Sequence, residues 1–167
     1  MPSDAAAFVL AVAAAAAPLA ATAGSAAEDR LTIPRFERAA ELYSRNCQGC
    51  HGHTGVSVDE VPDLRDRVGW FLHTPDGRDY IVRVPGVAFA PLDDEALALS
   101  LNWAIETFSA RQVPEGWSAF TADEVGRSRR RPVANIQSER AAVVDELVRR
   151  GVIPNARSVG FGAEPKY

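Results

Sequence analysis

The sequence predicts an all-α fold built from several amphipathic helices. Apolar residues recur at intervals of three and four in separate segments, which is the spacing of one face of a helix. Residues typical of helix starts stand before these segments, and no stretch has a convincing strand pattern.

The first predicted helix begins at Pro34, because proline is favoured at the first position of a helix. An apolar stripe at i, i+4, i+7 and i+11 follows, formed by Phe36, Ala40, Tyr43 and Cys47. The helix is therefore expected to end at the cysteine.

The segment Cys47-Gln48-Gly49-Cys50-His51 contains both cysteines of the chain. A Cys-x-x-Cys-His pattern is typical of covalent attachment of a c-type haem. Two thiols three residues apart lie on one side of a helical turn, where they can add to two vinyl groups of a porphyrin. His51 would then supply an axial nitrogen to iron. We predict one haem c, with Cys47, Cys50 and His51 as cofactor-binding residues and His51 as the iron ligand.

Three other interpretations of the cysteines remain: a thioredoxin-like dithiol, half of a zinc site, or two unrelated core cysteines. A zinc site needs further Cys or His ligands, and only His53 and His73 remain in the sequence. A redox dithiol needs a surrounding βαβ pattern, which is missing. The sequence favours haem attachment.

Residues 78–84 can form either a short helix or an extended segment, since Tyr80, Val82 and Val84 alternate. The next helix is better defined. Asp93 or Asp94 can cap its start, and it carries a helical stripe, flanked by Trp103, of Leu97, Leu101, Ala104 and Phe108.

The last third of the chain predicts two more helices. Thr121 and Glu124 form a capping box that opens a short helix, which Pro132 interrupts. A final amphipathic helix is expected over residues 136–150, closed by Gly151. The tail, residues 154–167, is expected to be loosely ordered.

The N-terminus resembles a secretory signal. Residues 5–23 are alanine-rich and apolar, and a cleavage pattern of small residues follows. We expect residues 1–23 to be a signal peptide, cleaved after Ala23 or Ala27, and the protein to be exported, in a bacterium to the periplasm. The alternative is an uncleaved membrane anchor, which the alanine content and Pro18 disfavour. No stable membrane span is expected after cleavage.

The charge of the chain gives no sign of a nucleic-acid partner. The net charge is -4, and Lys166 is the only lysine. One basic cluster occurs, of Arg127, Arg129, Arg130 and Arg131. It is expected to form a solvated helix face or a salt-bridged loop rather than a partner site.

Up to about Phe108 the chain resembles a class I c-type cytochrome. A helix leads into Cys47-Gln48-Gly49-Cys50-His51, a Pro62-x-Leu64 pair follows, and a closing helix carries Trp103 at an aromatic position of the family. The resemblance implies a cytochrome c domain over residues 30–108, with a helical extension and tail over residues 109–167 packed on it. It also implies that the Pro62 carbonyl accepts a hydrogen bond from His51 Nδ1. Leu64 and Trp70 are expected to pack near the porphyrin, although an ordinary core position suits these two residues almost as well.

The sixth iron ligand departs from the family. The usual methionine would come from the loop before the closing helix, but Met1 is the only methionine and lies in the leader. His53 follows the proximal ligand too closely to reach the other side of the ring. His73, the weak ligand Asn102, or a vacant or water-filled position remain as alternatives, and for His73 the sequence favours an ordinary surface-loop histidine over a ligand.

These observations favour a monohaem electron carrier, with redox proteins as partners and no enzymatic activity of its own. It would act alone or as the cytochrome subunit of a dehydrogenase system. The alternatives are a haem protein whose open iron binds a small gas or peroxide, and a haem-bearing module whose extension docks on an enzyme. Fold resemblance alone does not decide between them.

Overall fold

The computed structural model describes residues 33–58 and 61–160 of the 167-residue chain. These residues form helices joined by loops and contain no strand, which confirms the predicted all-α fold. Seven α-helices are present: α1 (Ile33–Asn46), α2 (Gln48–His51), α3 (Pro75–Arg83), α4 (Pro85–Ala88), α5 (Asp94–Ser109), α6 (Ala122–Arg129) and α7 (Ile136–Arg149). Two 3₁₀-helices span Val68–His73 and Ala156–Val159. The predicted signal peptide lies outside the described residues.

Helix α1 packs against α5 through aromatic side chains. Tyr43 is 2% exposed, and its ring centroid lies 5.1 Å from that of Trp103 and 5.2 Å from that of Phe108. Of the other predicted stripe residues, Phe36 remains 46% exposed, although its ring lies 6.1 Å from that of Trp103. The contact therefore holds the helix that leads into the cysteine motif against the closing helix.

Side-chain caps set the starts of the later helices, as the sequence predicted. Asp93 accepts a hydrogen bond from the Ala96 amide at 2.7 Å and caps α5. Thr121 caps α6 by accepting from the Glu124 amide at 3.2 Å. Such caps satisfy amides that have no partner inside the helix. The last predicted helix is also present and ends one residue earlier than expected.

Residues 78–83 belong to α3, and only Val84, which separates α3 from α4, is extended, so the extended alternative for this segment is wrong. Pro75 occupies the first turn, and the Thr74 hydroxyl accepts a hydrogen bond from the Gly77 amide at 3.0 Å. This cap starts the helix in spite of the alternating residues that follow it. The consecutive residues Ile81 and Val82 are both buried, so alternation here does not mark one face of a strand.

Two hydrophobic clusters hold the described part of the chain together. The small cluster joins α1 to α5 and contains Tyr43, Ala104 and Phe108, with Cys47, Leu64 and Trp103 packed against it. The large cluster joins α3, α5, α6, α7 and both 3₁₀-helices; its members that lie beyond Phe108 are Phe120, Val125, Val133, Val143, Val144, Leu147, Ile153 and Val159. The division of the chain at Phe108 stays a prediction, because the large cluster draws residues from both sides of it.

The beginning of the predicted loose tail is ordered, which corrects that expectation. Val159, in the second 3₁₀-helix, is fully buried, and Ala156 packs partly buried against the large cluster. Burial of these two side chains outweighs the loop-forming composition around them. Residues 161–167 lie outside the described part. Among the helices that are described, none has the length and apolar character needed to cross a bilayer.

Candidate functional site

The Cys47–His51 motif folds as a single tight turn at the end of α1. The Cys47 amide still bonds to the Tyr43 carbonyl at 2.8 Å, and the Cys47 carbonyl accepts from the amides of Cys50 and His51 at 3.2 and 3.0 Å. Cys47 thus closes α1 and opens α2. The two cysteines and the histidine are brought onto one turn, as the sequence predicted.

The two thiols have different surroundings. Cys47 is half-buried in the small cluster, and its sulfur lies 3.9 Å from the Ser100 hydroxyl of α5. Burial raises the pKa of Cys47, the Ser100 contact opposes the rise and the nearby Cys50 adds to it. Cys50 is exposed, and both cysteines are free of disulfide bonds. Both thiols are therefore available for covalent attachment of a group.

Gly52 makes the sharp turn that follows the motif. Its φ is +67°, a conformation that disfavours any residue with a side chain. A Cβ at this position would also collide with the Val56 carbonyl. The Gly52 carbonyl accepts a hydrogen bond from the Tyr43 hydroxyl at 2.7 Å. This turn sends the chain back past His51.

The His51 ring is oriented by the segment that returns past it. Its Nδ1 lies 3.2 Å from the Pro62 carbonyl oxygen, so the contact that the resemblance implied is present. A carbonyl can only accept, so Nδ1 carries the proton and Nε2 keeps its lone pair. Burial lowers the pKa of His51, while the Pro62 hydrogen bond and the charge of Asp63 oppose this. The neutral form with a free Nε2 is the form that binds a metal ion.

Two residues around His51 were not found from the sequence. The hydroxyl of Ser57 donates to the same Pro62 carbonyl at 2.7 Å and lies 3.4 Å from His51 Nδ1. Asp63 accepts from the Ser57 amide at 2.9 Å and pairs with Arg67 at 3.3 Å. Ser57 is buried. A serine and an aspartate in a polar loop have no distinctive spacing that would have identified these roles.

The sequence candidates for a sixth iron ligand have other partners. The Asn102 amide donates to the Phe120 carbonyl at 2.9 Å and its oxygen accepts from the Phe120 amide at 2.7 Å, so both ends of this side chain are engaged by the Phe120 backbone. His73 Nε2 lies 2.9 Å from the Gln112 carbonyl, and its ring packs on Trp70 with centroids 5.5 Å apart. His53 is exposed.

Leu64 and Trp70, expected near the porphyrin, lie in different clusters. Leu64 packs against the small cluster, which also holds Cys47. Trp70 packs against the large cluster and on His73. Leu64 is therefore beside the motif, while the described contacts of Trp70 are those of a core residue.

The basic cluster of α6 contains a residue whose role the sequence did not indicate. The Arg129 side chain is only 15% exposed. It donates hydrogen bonds to the carbonyls of every second residue from 88 to 92, namely Ala88, Ala90 and Leu92, at 3.0, 2.7 and 2.7 Å. It also pairs with Asp94 at 3.2 Å. These carbonyls belong to residues 88–92, which run from the end of α4 towards α5. They are here called the distal loop, because the resemblance to class I cytochromes places the usual sixth ligand before the closing helix.

The arrangement fits a covalently attached haem. Val58, whose amide bonds to the Cys50 carbonyl at 3.2 Å, is 50% exposed, so an apolar side chain next to the motif is left uncovered by the described residues. The other interpretations find less support. Within residues 33–58 and 61–160, no three His, Cys, Asp or Glu side chains form a group able to hold a metal ion. The same residues contain no strand for a βαβ unit.

Comparison with known proteins gives a distant match. The chain is 29% identical over 109 residues to a cytochrome c-552 of Thermus thermophilus, a match that covers 54% of this chain and 82% of that protein. Another cytochrome c-552 of the same species is also 29% identical over 109 residues, with 73% of its length covered. This similarity supports a c-type cytochrome. No protein-family model and no solved structure matches the chain.

Proposed function

We propose that this chain is an exported monohaem c-type cytochrome that passes single electrons between redox proteins. The observation that carries the proposal is the geometry of one turn. Cys47 and Cys50 are free on that turn, and His51 follows with Nδ1 held 3.2 Å from the Pro62 carbonyl. The similarity to cytochrome c-552 supports the same function.

In this proposal the two cysteines provide attachment and His51 provides coordination. Each thiol would hold the haem through a thioether, with its S–H added across one vinyl group. Haem c, when bound, supplies a one-electron couple at iron. The hydrogen bond to Pro62 orients the His51 ring, and Ser57 shares the same carbonyl, so that Nε2 would be free to hold the iron of a bound haem.

The remaining parts of the proposal concern location and organisation. Residues 1–23 act as a signal peptide, residues 30–108 as the cytochrome part, and residues 109–167 as an extension packed on it. Support for the last point comes from α6 and α7, which share the large cluster with α3 and α5. The electron donor and acceptor are redox proteins.

A second candidate is a haem protein whose iron binds a small gas or peroxide. One observation favours it: no methionine follows Met1, and the distal loop offers no side chain that binds iron well. The occupied amide of Asn102 points the same way.

Absorption spectra of the purified haem protein separate the two candidates. Oxidised and reduced protein should be compared with and without carbon monoxide, together with a redox titration against mediators. An electron carrier should cycle reversibly with little change on adding carbon monoxide. Rapid, complete formation of a carbon monoxide adduct would contradict the carrier and favour the gas-binding candidate.

A further inference from the structure

The distal loop is held in place by a single side chain from a later part of the sequence. Arg129 donates to the carbonyls of Ala88, Ala90 and Leu92, so one guanidinium accounts for three bonds along a five-residue loop. Hydrogen bonds from a charged donor are stronger than neutral ones, and partial burial strengthens them further. The loop also packs Ala90 and Leu92 partly against the large cluster.

The sequence of α6 allows this helix to pack closely enough against the start of α5 for Arg129 to reach the loop carbonyls. Gly126, one helical turn before Arg129, is buried, and a Cβ there would collide with the Asp94 carboxylate. Glycine thus lets α6 lie close to the start of α5. The Arg78–Glu124 pair and the bond from Ser128 to Asp79, at 2.6 Å, tie the same helix to α3.

The distal loop is also connected to the haem-binding turn. It runs directly into α5, and Ser100 of that helix contacts the Cys47 sulfur at 3.9 Å. Ser100 follows Asp94 by six residues, about 9 Å along the helix axis. Phe89 projects from the same loop and, at 70%, is the most exposed large apolar side chain of the described residues. A large apolar side chain on a fixed loop is suited to cover a bound apolar group.

We propose that Arg129 is a positioning residue that fixes the backbone of the distal loop and thereby limits access of external ligands to the iron of a bound haem. The inference rests on the proposed function, since it requires haem at Cys47 and Cys50. Arg129 itself does not touch iron. It acts through the loop backbone, so the segment after Phe108 becomes part of the haem site.

The test compares three variants of the haem protein: Arg129→Gln, Arg129→Lys and, as a matched control, Arg127→Gln. Arg127 lies on the same helix and is exposed. The glutamine variant removes the charge and the fork of donors, whereas lysine keeps the charge and the Asp94 pair but cannot span three carbonyls. Imidazole serves as the external iron ligand, and amide hydrogen exchange reports on the loop.

For Arg129→Gln we expect exchange at residues 88–92 and the affinity for imidazole each to rise about tenfold or more. The reduction potential should shift as well. Arg129→Lys should be intermediate, and Arg127→Gln should match the unaltered protein. If the glutamine variant does not fold, the lysine variant provides the comparison.

Two results would overturn the inference: unchanged loop exchange in both Arg129 variants, or faster exchange with unchanged imidazole affinity and potential. Failure of the proposed function is recognised separately. It would appear as an unaltered protein without covalent haem, and loop exchange alone would then show whether Arg129 holds the loop.

Discussion

The two sides of the candidate haem site are held by contacts of very different range. On one side is the proximal segment, residues 51–58 and 61–64, where His51 is oriented by Pro62, eleven residues away in sequence. On the other is the distal loop, whose carbonyls are held by Arg129 from 37 to 41 residues away. Residues close in sequence to His51 orient its ring, whereas a helix distant in sequence fixes the distal loop.

This difference suggests how the two sides respond to change. The proximal segment depends on local geometry, a positive φ and a shared carbonyl, so single substitutions within it should disturb haem binding directly. The distal loop depends on α6 and, through it, on the large cluster. Changes there should alter stability and ligand access while leaving His51 in place.

Leu147→Ala should have the largest effect on stability. Leu147 is fully buried in the large cluster, so the truncation should lower the free energy of unfolding by about 2–5 kcal/mol. Because the cluster is separate from the haem-binding turn, the Soret maximum of the folded protein should stay unchanged. Denaturant unfolding and absorption spectra measure the two effects.

The neighbouring Val148→Ala is the control for this loss. Val148 is 37% exposed, so its truncation should change stability by no more than about 1 kcal/mol. Equal effects of the two substitutions would show that the large cluster does not support the haem protein as described.

Gly52→Ala should disturb the proximal side next most strongly. A side chain at φ +67° is strained, and its Cβ meets the Val56 carbonyl, so a cost of about 1–3 kcal/mol is expected together with a lower yield of haem protein. Gly49→Ala is the matched control, since nothing lies within 4 Å of a Cβ there. Similar yields and midpoints for the two variants would contradict the role given to the Gly52 turn.

Tyr43→Phe should have the smallest effect, and its sign should depend on pH. At neutral pH the loss of the hydroxyl bond to Gly52 should cost about 1 kcal/mol. Burial raises the pKa of Tyr43 from 10.0 to about 12. Between these values the unfolded chain has lost a proton that the folded chain keeps, so stability falls as pH rises above 10.0.

The phenylalanine variant has no such proton, so the stability curves of the two proteins should converge in alkali. Denaturant unfolding at neutral pH and at about pH 11 measures this. A constant difference between the curves across that interval would show that Tyr43 does not contribute to the alkaline loss.

Much of the fold was predictable because its signals are local. The caps at Asp93 and Thr121 and the closing Gly151 place three helix ends, and the spacing of Cys47, Cys50 and His51 describes one turn. Contacts between distant segments left no such signal. Arg129 bonds to backbone carbonyls, which every residue has, so no partner side chain marks the interaction in the sequence.

The same reason explains what the sequence did not indicate. Asn102 holds the backbone of Phe120 through two hydrogen bonds, and Val159 lies in a stretch whose composition suggests a loop although the side chain is fully buried. Tertiary packing decides both positions. Local pattern therefore described the proximal side of the site far better than the distal side.

The central claim, covalent haem on Cys47 and Cys50, is tested most directly by the intact mass of the denatured protein after production with a cytochrome c maturation system. The chain should carry the mass of one haem, and the double variant Cys47→Ala, Cys50→Ala should carry none. An unmodified chain without haem, or a double variant that retains haem after denaturation, would contradict the account.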